Sequence, residues 1–376
     1  MNSSQSRYEN GIWQPPLAPN KHAQLVTVFG SHSRYSEGFQ HIKTAFPNAE
    51  IIGCTTSGEI VGAEIYDDTL CLTALEFVHA KISVATVCIH QRTLEAAINT
   101  LASNTTGEDL KYLLVLSDGQ LINGSQLVEG LKAYFPNDLL ITGGLAGDGT
   151  RFEHTTVWHN DDSGSGKILT CAFYGKELIV GHGSMGGWDP FGPEREITRS
   201  RDNILLELDH KPALQLYKTY LGDHAKNLPS SALLYPLLIT KHGEDEAIIR
   251  TILNIDENNS SMIFAGDMPK GATAQLMRAN FDRLIDGAEA AAETALKALL
   301  TQKEHGLVLM ISCVGRRLVL NQRTEEELEA VAEIFGDNWS YTGFYSYGEI
   351  APLMAGSPCM LHNQTMTITT ITERNA

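Results

Sequence analysis

The sequence predicts an α/β protein of two domains, built from repeated strand–helix–strand units that close on Gly-x4-Gly-Glu-Ile turns. Three observations carry that expectation. Residues 53–60 (Gly-Cys-Thr-Thr-Ser-Gly-Glu-Ile) and 343–350 (Gly-Phe-Tyr-Ser-Tyr-Gly-Glu-Ile) repeat one pattern, and 143–149 (Gly-Gly-Leu-Ala-Gly-Asp-Gly) is a third version with an aspartate where the glutamate stood. A repeat of this kind fixes the unit that has to be packed, so it precedes any choice of fold. Each copy also closes the same order of elements: an apolar strand, a loop, a helical face and a second strand. Finally, 376 residues with 43% apolar side chains are too many for one ordinary core and too apolar for general disorder.

Residues 1–22 are polar, carry Pro15-Pro16 and read as a tail. Residues 23–29 form a continuous apolar strand, followed by a loop from Gly30 to Arg34. Tyr35, Phe39, Ile42 and Phe46 then recur at the spacing of a helix face. Strand 50–52 enters the first glycine turn, and 69–77 with 81–89 alternate as a hairpin would. The second unit holds helix 93–101, strand 112–116, the loop Ser117-Asp118-Gly119, and a helix with Ser125 as N-cap and Leu127, Leu131 and Tyr134 on one face. Strands near 155–159, 167–174 and 177–183 follow the second turn. The glycine- and proline-rich run 186–193 interrupts any regular element, so the domain boundary is expected within 188–202. This gives a tail at 1–22 and domains at 23–198 and 199–376. The second domain reads as strands 203–208, 233–239, 247–255 and 261–265, with a first helix ending at Tyr220. A helix over 282–300 and strand 307–312 follow. Thr324-x-x-Glu327 has the form of a capping box opening the next helix, and 365–372 is the last strand.

Net charge of −17 argues against a nucleic-acid backbone or an anionic membrane surface as partner. No apolar run approaches the ~18 residues of a membrane span, and the N-terminal stretch lacks a signal-peptide core. The expectation is a cytoplasmic protein without membrane insertion. Cys71, Cys88, Cys171 and Cys313 lie in apolar runs and read as buried thiols, and no CxxC, CxxCH or zinc-type spacing occurs.

If the two strands of a unit share a sheet, the crossover makes them parallel and right-handed, and their C-terminal ends share one edge. Ligands of open α/β sheets bind at that edge. His32 and Arg34 are then expected near Cys54, Ser57, Gly58 and Glu59. Ser117 and Asp118 are expected near Gly143, Gly144 and Asp148. Arg316 and Arg317 are expected near Tyr345, Ser346, Gly348 and Glu349. With Cys313, the residues of these turns and Arg316 are the candidate ligand-binding set. Each has a purely structural alternative. Glycines at fixed spacing serve positive φ or close packing. Glu59 and Glu349 can cap turns, Arg316 can pair with Glu349, and Cys313 can be a buried thiol. There is no phosphate loop, GxSxG elbow or HExxH, and no acid/base pair stands out. The reading is therefore a binding protein and not an enzyme, with a Cys313- or Cys54-dependent enzyme as the alternative of another class.

Taken in order, residues 53–60, 143–149, 187–193 (Gly-Trp-Asp-Pro-Phe-Gly-Pro), 312–316 (Ser-Cys-Val-Gly-Arg) and 343–350 resemble the FIST domain with its N- and C-terminal parts, from about Gln24 to Pro352. The resemblance implies an intracellular sensory module of bacterial signal transduction that binds a small ligand, often beside histidine kinases or cyclic-di-GMP enzymes. For stand-alone members it further implies haem b, nitric oxide sensing and control of a separate histidine kinase. A haem pocket needs an axial ligand in an apolar cleft. His182, between Val180 and the Gly-Trp turn, is the first candidate, and His32 in its loop is the second. The other ligand class is an amino-acid-like metabolite, with Arg316 on its carboxylate and Glu59, Asp148 or Glu349 on its ammonium.

Overall fold

Each repeat folds as a parallel strand pair joined through helix. In the computed structural model, which describes residues 1–105, 107–243, 247–299, 305–354 and 356–374, strand Leu25–Gly30 pairs with Glu50–Thr55 across helix His32–Ala45. Leu110–Ser117 pairs with Leu140–Leu145 across Gly124–Lys132, and Gly306–Cys313 with Trp339–Ser346 across Val314–Leu320 and Thr324–Phe335. Close approach imposes the glycine that opens each turn. A Cβ on Gly53, Gly143 or Gly343 would lie 1.7, 1.9 or 1.8 Å from the carbonyl oxygen of the residue opposite it, Val28, Val115 or Met310.

The fold class differs from the expectation. The chain is not an α/β repeat of strand–helix units but a mixed, sheet-rich protein. The extra strand lies just after each glycine turn, where the chain leaves its own sheet. Hairpin Glu59–Val61/Glu64–Tyr66 pairs with Trp339–Ser346, Val157–His159/Asp162–Gly164 with Glu50–Thr55, and Gly348–Pro352/Cys359–His362 with Leu140–Leu145. Each unit lends a hairpin to a neighbour in a closed cycle of three. A return strand then rejoins the unit's own sheet (Leu70–Glu76, Lys167–Tyr174, Met366–Glu373), and an antiparallel strand flanks it (Asn2–Glu9, Lys81–Cys88, Leu178–Met185). All three sheets share this strand order. Segments 69–77 and 81–89 consequently lie in different sheets and make no hairpin. The first residues, read as a tail, supply the strand Asn2–Glu9, and the Met1 amino group sits 3.3 Å from the buried Glu373 carboxylate.

The inner faces of the three sheets meet in one core, where Phe29, Leu116 and Ile311 hold equivalent register positions. Phe29 packs on Phe344 with ring centroids 4.7 Å apart. Helices cover the outer faces: Tyr35 and Ile42 pack with Trp158 on the first sheet, Ile98 and Leu127 on the second, Ala288 and Leu328 on the third. The expected N-cap Ser125 is replaced by Asn123, whose side chain accepts from Gln126 N at 3.2 Å. Residues 188–279 supply a fourth, nine-stranded antiparallel sheet with its own core around Ile197, Leu214 and Phe264. Position 198/199 falls inside strand Arg195–Arg201, and the second and third sheets draw strands from both sides of it.

Candidate functional site

The C-terminal ends of Leu25–Gly30 and Glu50–Thr55 open onto a cleft of about 970 Å³. All three repeats wall it. Ser31, His32, Ser57 and Glu59 come from the first, Asp148, Arg151 and His154 from the second, and Arg317 and Glu325 from the third. The expected strand edge is therefore the right place, but the exchanged hairpins decide what faces it.

Glu59 and Glu349 occupy equivalent positions and repeat one constellation. Thr56 and Ser346 hydroxyls donate to them at 2.6 Å. Thr69 and Thr365 each add a hydroxyl, at 2.9 and 3.0 Å, and an N–H, at 3.3 and 3.2 Å. Burial pushes Glu59 up to about 7 and Glu349 up to about 8, and these hydrogen bonds offset only part of it. Of the two, only Glu59 lines the cleft. In the second repeat Gly149 and Lys167 stand at the glutamate and threonine positions. There Asp148 carries the charge instead. Burial would raise it, but the N–H groups of His154, Glu153 and Phe152 and the Tyr347 hydroxyl outweigh burial and hold it below the usual range.

Arg317, not Arg316, faces the cleft. Its guanidinium donates to the Ser57 carbonyl at 2.5 Å and grips both oxygens of Asp67 at 2.8 and 2.6 Å. Burial works against its charge, and Asp67 more than restores it. Arg316 is fully buried, paired with Glu327 at 2.7 Å and donating to the carbonyls of Leu284 and Gly186. It neither pairs with Glu349 nor lines the cleft. Glu327, expected in a capping box, is turned inward to Arg316 and to the hydroxyls of Ser312 and Tyr345, and its helix has no side-chain cap.

Of the residues singled out in the sequence, His32, Ser57, Glu59, Asp148 and Arg317 share the cleft, with Gly58 beside them. Gly58 has φ +135°, and a Cβ there would lie 2.6 Å from the Arg317 guanidinium. The remainder do not line it. Gly143 and Gly144 are buried where sheets meet. Tyr345, Ser346 and Glu349 turn into the third repeat's interior, and Gly348 packs against Leu361 and Leu145 at the second sheet. Cys54 and Cys313 are buried, and burial pushes both thiols well above their usual range. Asp67, Arg151, His154 and Glu325 line the cleft and were not legible, because hairpin exchange and the packing of a distant helix bring them there.

Neither histidine candidate fits haem. His182 Nε2 lies 2.8 Å from the Pro352 carbonyl, inside a strand flanked by Gly181 and Gly183. Both glycines face helix Phe281–Lys297, so His182 points to the opposite side of the strand, where the Pro352 carbonyl occupies its Nε2. Burial lowers the His182 pKa and favours neutral imidazole, yet His182 borders neither this cleft nor the one beside the fourth sheet. His32 borders the cleft, but the large apolar side chains there are only Ile65 and Leu318, among many acids and hydroxyls. Haem needs an apolar slot, and its propionates are repelled by such an acidic lining. Among the described residues no group of three or more His, Cys, Asp or Glu is placed to hold a metal ion, and no helix is long and apolar enough to cross a membrane.

The family model of the FIST N domain matches residues 24–211, and that of the FIST C domain residues 213–352. The uncharacterized protein MJ1623 of Methanocaldococcus jannaschii is 21% identical over 346 residues, spanning 83% of this chain and 63% of its own length. The chain thus covers less than two thirds of that relative. A crystal structure of cyanuric acid hydrolase from A. caulinodans aligns over 99% of both chains at 9% identity with a TM-score of 0.34, a likeness that carries no argument about chemistry.

Proposed function

Because the chain belongs to the FIST family, whose domains are signal-transduction sensors of small ligands, we propose that it binds an amino-acid-like zwitterion in the cleft around Glu59 and Arg317 and signals without turnover. One observation carries this reading: segments of all three repeats converge on a single cleft that holds a buried, near-neutral carboxyl beside an arginine clamp. The acids Glu59, Asp67, Asp148 and Glu325 favour an ammonium group. Arg317 offers a fork for a carboxylate that takes the place of exposed Asp67. A ligand bridging these groups draws the three walls together, and such closure is a signal whenever the two states bind it with different affinity. A separate partner, of the histidine kinase or cyclic-di-GMP enzyme kind, would read that change.

The haem and nitric oxide reading is not carried further, since His182 and His32 lack the surroundings it requires. Nor is a cysteine enzyme, since Cys54 and Cys313 are buried thiols held protonated. Calorimetric titration with the common L-amino acids at pH 8 tests the proposal. At least one is expected to bind saturably and to lose its affinity in Arg317→Ala and Glu59→Gln while Arg34→Ala keeps it. Absence of binding across the set, or binding indifferent to both substitutions, contradicts it.

A further inference from the structure

We propose that a second small-molecule site lies between the second sheet and the nine-stranded sheet, and that it takes a planar aromatic ligand, neutral or anionic. The three sheets share one strand order, so whatever stands at one sheet edge has counterparts at the others. At the second sheet, Gly119 and Gln120 hold the place that His32 and Ser33 hold at the first, and Leu145 that of Thr55. A cleft of about 680 Å³ opens there too, within the roughly 300–1,000 Å³ usual for ligand pockets.

Its chemistry is the reverse of the first. Threonine has become leucine, and the nine-stranded sheet closes the far side with Leu253 and Ile263. Phe152 and Tyr347 form a stacked pair on the wall, with ring centroids 4.5 Å apart and planes 16° apart. The amides of Gln120 and Asn254 offer hydrogen bonds, and Arg151, two-thirds exposed, brings the one charge of the lining. Apolar walls, a pair of parallel rings, amide edges and a single arginine select a flat ring system and exclude the ammonium ligand of the first cleft.

The test uses the full chain and anilinonaphthalene sulfonate, a flat aromatic anion whose fluorescence reports burial. Saturable binding of one probe per chain is expected. Leu121→Asn and Leu253→Asn should each weaken it about tenfold, the share of affinity that one leucine contact supplies. Leu121 is 53% exposed, so its substitution leaves the fold intact and a melting curve checks this. Leu318→Asn, on the first cleft only, should leave probe binding unchanged. No binding, unsaturable uptake, or binding that Leu318→Asn removes while the other two variants keep it would overturn the proposal without touching the reading of the first cleft.

Discussion

At the scale of single residues, two neighbouring arginines illustrate how differently one residue type can serve. Arg316 is sealed with Glu327, and removing it leaves a buried carboxylate unpaired, a loss of about 3–5 kcal/mol. Arg317 pairs with Asp67, which is 68% exposed, so Arg317→Ala is expected to change stability by no more than about 1 kcal/mol. Chemical denaturation of the two variants checks the contrast. The sequence could name both arginines but not rank them, because Val314–Leu320 is too short for its faces to be read from periodicity. The buried glutamates make a pH prediction. Their pKa values rise on folding from ~4.3 to about 7 and about 8. The folded chain therefore binds more protons over that interval, and stability is greatest at its acid end and declines until pH passes the folded values. Glu349→Gln, which keeps the shape of the neutral acid, should flatten the decline between pH 6 and 8 in denaturation curves. An ammonium ligand requires ionised Glu59, so its affinity should rise with pH over the same range.

Elements were legible where the signal is local. The faces of His32–Ala45 and Gly124–Lys132 and the apolar parallel strands follow from periodicity and composition. Strand partners were not legible, because a period of two marks a strand without saying which sheet it joins. Segments 69–77 and 81–89 show this best, since equal alternation sends one to the first sheet and the other to the second. The glycine turns stand out in the sequence, but their glycines serve several causes and not one. Gly58 has a left-handed backbone, whereas Gly348 has no positive φ and is confined by Leu361 and Leu145. Gly58→Val should lower stability by roughly 1–3 kcal/mol and dislodge Arg317, so ligand binding falls with it. Gly62→Ala, with φ +64° and open space around it, should stay within about 1–2 kcal/mol. Melting curves for the pair separate strain alone from strain with a clash.

At the scale of the molecule, lent hairpins tie the three sheets into one structure, because no unit holds all the strands of its own sheet. No local composition marks such an exchange, which is why the sequence shows the repeated units but not the hairpins they trade. A fragment covering 24–352 spans the family match but lacks Asn2–Glu9 and the return strand Met366–Glu373, so it should fail to give a cooperative melting transition. The same closure brings residues distant in sequence to one cleft, and that convergence is the central claim. Amide hydrogen exchange, with and without the amino acid that binds most tightly, tests it most directly. The account expects added protection in 55–59, 148–154 and 317–325 together, at equal ligand concentration. Protection confined to one of these segments, or appearing instead around His182, would contradict it.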